Sequence, residues 1–163
     1  MKSECKYSFL EAKAKLEALC AYQERCQFEL DQKLSSWGFN EEDRSALLAD
    51  LIANRFLDEE RFAIAFVSGK FRIKRWGKIK IRSHMKQKRI SDHSIKIAFS
   101  GIDSEEYWAA TLLLAERKLA EMKEKEDRWQ KKAKIIRFLQ SRGFEMDLSQ
   151  DAADQILSTG RQV

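Results

Sequence analysis

The sequence repeats one apolar pattern three times, as LDQKLSSWGF (residues 30–39), IRSHMKQKRI (81–90) and IIRFLQSRGF (135–144). Each stretch opens with a large aliphatic residue, has a second large apolar residue four positions later, and closes on Phe or Ile. This spacing places the apolar side chains on one face of an α-helix. The closing residues are 51 and 54 positions apart, and such a period predicts an array of helical units, each too small to bury a core alone.

The composition favours an all-helical fold. The 163 residues include no proline, and 44% are hydrophobic, which is enough apolar content for a folded chain. No long stretch alternates between apolar and polar residues as a half-buried strand does. We therefore predict an all-α protein whose three tandem three-helix repeats, similar to helix-turn-helix units, form an elongated, curved array. The predicted repeats are residues 1–54, residues 55–102 and residues 103–163, the last with a frayed tail from residue 158.

Helix ends are predicted from side chains that accept hydrogen bonds from free backbone N–H groups. Gly38 and Gly143 stand where a helix C-terminus needs a left-handed residue. The helix after Asp103 is expected to reach Lys125. The predicted N-caps are Ser8 with Glu11 in a capping box, Asn40, Asp58, Ser91 and Asp103.

Two further expectations concern packing. Gly77 is expected to interrupt the second repeat after a helix that continues through Ile73, and Ile81 and Met85 are expected to face inward. The tryptophans assigned to the core or to packing between repeats are Trp37, Trp108 and Trp129.

Several function classes have no support in the sequence. No run reaches the ~18 apolar residues of a membrane span, and the first ten residues do not resemble a signal peptide. Cys5, Cys20 and Cys26 lack metal-binding spacing and are expected to be reduced thiols of a cytoplasmic protein. His84 and His93 lack a metal-ligand or catalytic partner. We expect that the protein does not associate with a membrane, binds no metal or cofactor, and has no enzymatic activity.

The strongest functional signal is the basic segment, residues 70–89, which holds ten Lys and Arg and no acidic residue. Net charge is +5 for the whole chain and therefore −5 for the rest. Lys78, Arg82 and Lys86 form a stripe along one helix, suited to phosphates or an acidic protein surface. Trp76 could stack on nucleobases or plug a junction between repeats, and we favour the plug. A second basic face, with acids close by, comprises Arg128, Lys131, Lys132, Lys134 and Arg137.

The middle repeat combines FLDEERFA (residues 56–63), the following AFV (65–67), the basic stretch, Gly77, and the amphipathic helix from Ile81 to Ile90. This combination resembles the RecX family of bacterial regulators of the recombinase RecA. Two positions depart from the family pattern. Lys78 stands where proline is usual. Arg89 stands where glycine is usual, so the turn before Ile90 is expected to be made differently.

The resemblance implies a helical array that lies in the groove of the RecA filament on single-stranded DNA and inhibits ATP hydrolysis, strand exchange and filament growth. The partners would be the RecA filament and single-stranded DNA, contacted directly or through the filament, and the chain would be a monomer. A stand-alone nucleic-acid-binding module and an adaptor for another acidic protein remain alternatives. The predicted contact residues are Arg72, Lys74, Arg75, Lys78, Lys80, Arg82, Lys86, Lys88 and Arg89.

Overall fold

The computed structural model describes residues 4–159, which form nine α-helices and no strand. The all-helical prediction is therefore confirmed for this part of the chain. The helices are α1 (Phe9–Tyr22), α2 (Gln27–Ser36), α3 (Glu41–Ala53), α4 (Glu59–Arg72), α5 (Lys78–Gln87), α6 (Asp92–Ser100), α7 (Ser104–Ala120), α8 (Arg128–Ser141) and α9 (Met146–Thr159).

The chain divides into two compact units. The first unit runs to Phe66 and also contains Met85–Ala98, and the second contains Val67–His84 and the chain from Phe99 onward. The three-repeat boundaries given above stay a prediction. The predicted tail begins at residue 158, but residues 158 and 159 belong to α9, and residues 160–163 lie outside the described part.

The core of the first unit is built from the apolar faces of α1, α2 and α3. Leu16, Leu30, Leu34 and Leu51 are buried there. Trp37 packs on the edge of this core and meets Tyr7 edge to face, with ring centroids 4.9 Å apart. In the second unit Ile81, and in the first unit Met85, are fully buried, as the spacing predicted.

The predicted N-caps are present. Ser8 and Glu11 form a capping box, and the Asn40 and Asp103 side chains accept from the backbone N–H three residues later. Asp58 accepts from Arg61 N–H and Ser91 from Ser94 N–H. A further capping box, Asp127 with Gln130, begins α8.

The three quoted stretches end in the same turn. The amide of Phe39 donates to Leu34 O at 3.2 Å, that of Ile90 to Met85 O at 3.1 Å, and that of Phe144 to Leu139 O at 3.1 Å. Such a bond, spanning five residues, belongs to the Schellman C-cap, whose penultimate residue is left-handed. The corresponding φ angles are 92° at Gly38, 58° at Arg89 and 95° at Gly143.

The expectation of a different turn before Ile90 was therefore wrong. Arg89 adopts the left-handed conformation that glycine adopts in the other two repeats. The hydrogen bonds of the turn involve backbone atoms only, so any residue that tolerates the conformation can make them. An L-residue does so at a steric cost of about 1–2 kcal/mol.

Three other sequence predictions were wrong. Helix α7 ends at Ala120 rather than Lys125, because the charged residues beyond Met122 offer no apolar face for burial. Ile73 lies beyond the end of α4, and 78% of its surface is exposed. Trp129 is also 78% exposed, because its place six residues before the buried Ile135 puts it on another face of α8.

Candidate functional site

The basic segment covers the end of α4, the connection 73–77, helix α5 and the turn after it. The predicted contact residues from Arg72 to Arg82 belong to the second unit, and Lys86, Lys88 and Arg89 belong to the first. Helix α5 therefore carries basic side chains in both units.

In the first unit, two of the three basic residues are neutralised by acids from outside the segment. Lys86 forms an ion pair with Asp92, and Lys88 forms one with Glu29. The Arg89 guanidinium lies over the Phe28 ring, 4.7 Å from its centroid. No acidic side chain of the described residues pairs with Arg89, so its charge is available to a partner.

In the second unit, Arg72 is held by a two-point ion pair. Its Nε and Nη2 atoms donate to Glu106 at 2.9 and 3.1 Å, and Nη1 donates to Ser68 at 2.8 Å. The hydrogen bonds with Glu106 raise the pKa of Arg72 above its ordinary value. Arg72 therefore joins α4 to α7, and this structural role accounts for its side-chain contacts.

Trp76 lies in the connection between α4 and α5, half-buried, with charged and aromatic neighbours. The ammonium groups of Lys70 and Lys80 lie 4.7 and 4.4 Å from the centroid of its rings. The His84 ring is 4.6 Å away and inclined by 47°. All these partners come from α4 and α5 within the second unit, and the role of Trp76 at a junction between repeats stays a prediction.

Two other basic residues of this unit, Lys74 and Arg82, are exposed. The Arg82 guanidinium lies over the Phe99 ring at 5.2 Å. Neither side chain forms an ion pair with any residue between positions 4 and 159. Their charges are therefore not neutralised locally.

The N-terminus of α5 is fixed by residues that the sequence reasoning missed. Gly77 N–H donates to Arg142 O at 2.8 Å, and Ile79 N–H donates to Gly143 O at 3.0 Å. Lys78 N–H donates to the Tyr107 hydroxyl at 3.0 Å. These amides would otherwise be free at a helix start and able to bind an anion, so phosphate binding by this helix end is excluded while they are paired.

Glycine is required at this close approach. A Cβ atom on Gly77 would stand 2.3 Å from the backbone C and O of Gly143. Gly77 and Gly143 themselves were the only signal of this contact in the sequence, since the two residues are far apart along the chain.

The Tyr107 side chain completes the contact. Its hydroxyl donates to Glu145 at 2.7 Å, and the Lys78 ammonium lies 4.6 Å from its ring centroid. Burial, and to a smaller extent the bond to Glu145, raise the pKa of Tyr107, although the bond from Lys78 N–H opposes them. Tyr107 therefore stays protonated and can donate and accept at once.

Two of the five bases of the second basic face, on α8, are neutralised by acids. Lys132 pairs with Asp154 and Lys134 with Glu126, both at 2.7 Å. Arg128 donates to the backbone carbonyl of Leu157 at 3.3 Å. The face is therefore a weaker candidate than the basic segment.

Other site types have little support in the described residues. Between positions 4 and 159 no cluster of His, Cys, Asp and Glu could hold a metal ion, and the three cysteines are free thiols. Every helix of that range is too short or too polar to cross a lipid bilayer.

Comparisons with known proteins identify the family. The sequence model of the RecX second three-helix domain matches residues 58–98, and that of the third matches residues 105–152. The Regulatory protein RecX of Chlorobaculum tepidum is 33% identical over 79% of this chain and 78% of its own length. That of Clostridium botulinum strain Eklund 17B is 32% identical over 77% of this chain and 59% of its own length.

A solved structure supports the fold. The crystal structure of RecX from Lactobacillus salivarius superposes with a TM-score of 0.81, at 21% identity, over 91% of this chain and 96% of that one. The tandem helical fold predicted from the apolar repeats is thus confirmed.

Proposed function

This chain belongs to the RecX family of regulatory proteins, and we propose that it regulates RecA by binding its filament on single-stranded DNA. Binding inhibits ATP hydrolysis and strand exchange and limits filament growth in recombination and DNA repair. The chain acts as a monomer in the bacterial cytoplasm, by binding rather than by catalysis.

The observation that carries this proposal is the uneven distribution of charge. Ten basic residues and no acid lie within residues 70–89 of a chain whose remainder is net negative. Lys74, Arg82 and Arg89 keep exposed charges without an acidic partner among the described residues. Such a surface attracts the phosphates of DNA or an acidic surface of a filament and accelerates association.

The ion pairs do not remove the paired bases from the interface. Lys86 is 46% exposed and its partner Asp92 is 80% exposed. Exposed pairs of this kind contribute little to stability, so a phosphate of the partner can replace the acid at small cost. Exchange is cheapest for Lys86, because the Lys88–Glu29 pair is only 28% and 30% exposed. The whole predicted set stays the proposed set of contact residues.

The test is inhibition of DNA-dependent ATP hydrolysis by RecA from the same bacterium. The double variant Lys74→Glu/Arg82→Glu should raise the concentration for half-inhibition at least about tenfold, because two attractive contacts become repulsive. The matched control is Arg117→Glu/Lys125→Glu, which makes the same charge change at exposed positions outside both basic faces. Equal inhibition by both double variants would contradict the assignment of the surface.

Lysines around Trp76 favour a second candidate function, binding of single-stranded nucleic acid without RecA. If about five phosphates are neutralised, log affinity should fall against log salt with a slope of roughly −3.5. That slope together with no effect on RecA would favour the second candidate. Neither DNA binding nor an effect on RecA would favour an adaptor for another acidic protein.

A further inference from the structure

Trp76 is the centre of a cluster whose composition is unusual for a purely structural tryptophan. Two ammonium groups, from Lys70 and Lys80, lie within 5 Å of one indole centroid, at 4.7 and 4.4 Å. Both cations lie beside the ring, so an anionic group placed next to the indole is attracted by positive charge. The indole is half-buried, so part of it is accessible to a ligand.

The residue before Trp76 supplies an independent observation. Arg75 has a φ of 58°, a left-handed conformation that glycine or asparagine adopts at lower steric cost. Its side chain forms neither a hydrogen bond nor an ion pair with another residue of the described part. No side-chain hydrogen bond or ion pair among residues 4–159 therefore offsets the backbone strain of Arg75, and strained residues of this kind cluster at functional sites.

We propose that Trp76 and Arg75 form a binding site for one unpaired nucleotide of a single-stranded nucleic acid. The base stacks on the indole of Trp76, and the flanking phosphates contact Arg75, Lys74 and Lys80. This inference rests on the single-stranded DNA contact of the proposed function and assigns residues to it.

The site favours a nucleotide because a nucleotide satisfies both halves of the cluster. A base offers an aromatic face to the indole, and its phosphates offer negative charge to the cations at a fixed distance along the strand. An acidic peptide offers the charge alone. A duplex keeps its base faces stacked inside, so a single strand fits better than a double strand.

Binding requires only a local exchange. The Lys80 ammonium now lies over the indole, and a long lysine side chain can move from the ring to a phosphate. The base then takes the place of the ammonium, and stacking of a base on an aromatic ring is the stronger contact. Ile73 and Ile79, three residues before and after Trp76 in the chain, are both exposed and offer apolar surface to a bound strand.

The experiment measures binding of a fluorescent oligothymidylate to the full chain by anisotropy, without RecA. Trp76→Ala should weaken binding about 5- to 150-fold, which is the range for loss of one stacked base. Trp76→Phe, which keeps an aromatic ring, should bind within about threefold of the unchanged protein. The phenylalanine variant also guards against misfolding of the alanine variant, and far-ultraviolet circular dichroism checks both.

Arg75 has a matched control. Arg75→Gly and Arg55→Gly each remove one charge and relieve one left-handed arginine, because Arg55 has a φ of 61° and is exposed. Only Arg75→Gly should weaken binding, and it should reduce the salt slope by about 0.7, the value for one phosphate of a single strand.

Three results would overturn the proposal. These are unchanged binding by Trp76→Ala, equal effects of Arg75→Gly and Arg55→Gly, or a Trp76-dependent affinity for polyglutamate that matches the affinity for the oligonucleotide. Because RecA is absent from this assay, each result leaves the inhibition of RecA to be decided separately. If the chain inhibits RecA but shows no Trp76-dependent binding of the oligonucleotide, this inference is refuted and the proposed function is not.

Discussion

Replacing Arg89 separately by glycine and by alanine measures the backbone strain in the turn before Ile90. Both changes remove the guanidinium from the Phe28 ring, 4.7 Å away, so the loss of that contact cancels between them. Only glycine adopts the φ of 58° without a steric cost. The difference in unfolding free energy between the two variants therefore isolates the backbone.

The expected magnitude combines two opposing effects. A left-handed L-residue costs about 1–2 kcal/mol, and glycine loses about 0.5–1 kcal/mol more than alanine through its greater freedom in the unfolded chain. Taking the middle of each range, Arg89→Gly should thus be more stable than Arg89→Ala by about 0.75 kcal/mol. For a chain of this length that difference raises the melting temperature by about 1–4 °C.

Urea unfolding followed by circular dichroism provides the assay. The control position is Gln32, an exposed residue inside α2, where glycine should instead be less stable than alanine by about 1 kcal/mol. The sign of the difference should therefore reverse between the two positions. If Arg89→Ala is as stable as Arg89→Gly, the claim that the backbone is strained at position 89 is refuted.

Two further predictions concern the second unit. Gly77→Ala should lose about 1–3 kcal/mol in urea unfolding, because its Cβ would overlap the Gly143 backbone. Gly69→Ala, in the last turn of α4 and with nothing within 4 Å of the added Cβ, should instead gain up to about 0.5–1 kcal/mol. A harmless Gly77→Ala would refute the close contact. Tyr107→Phe should lose about 1–3 kcal/mol at pH 8, since Glu145 loses its donor. Because the pKa of Tyr107 is raised in the folded state, its stabilisation is complete below the pKa of 10.0 in the unfolded chain and is lost as pH rises further. The difference in unfolding free energy between the unchanged protein and Tyr107→Phe should therefore shrink by about 1.4 kcal/mol per pH unit above pH 10. A difference that stays constant would contradict the buried hydroxyl.

The helices and their turns could be predicted because local residues determine them. Apolar spacing within ten residues placed Ile81 and Met85 in the interior, and single side chains such as Asn40 and Asp58 marked helix starts. The left-handed Arg89 could not be predicted, because arginine gives no local signal for that conformation. Only the alignment of the three repeats reveals it.

The contacts of the basic segment could not be predicted, since they join residues far apart in the chain. Neutralisation of Arg72 requires Glu106, and that of Lys88 requires Glu29, 59 residues away. Tyr107 and Glu145 are 38 residues apart, and no helical spacing in the sequence indicates that they meet beside Gly77. The sequence identified the charged segment, while the fold decides which of its charges remain available.

The most direct test of the proposed function is titration of this protein into RecA hydrolysing ATP on single-stranded DNA. We predict inhibition at well below one molecule per RecA subunit, because a regulator of filament growth acts on many subunits at once. Unchanged hydrolysis at equimolar protein would contradict regulation of RecA by this chain.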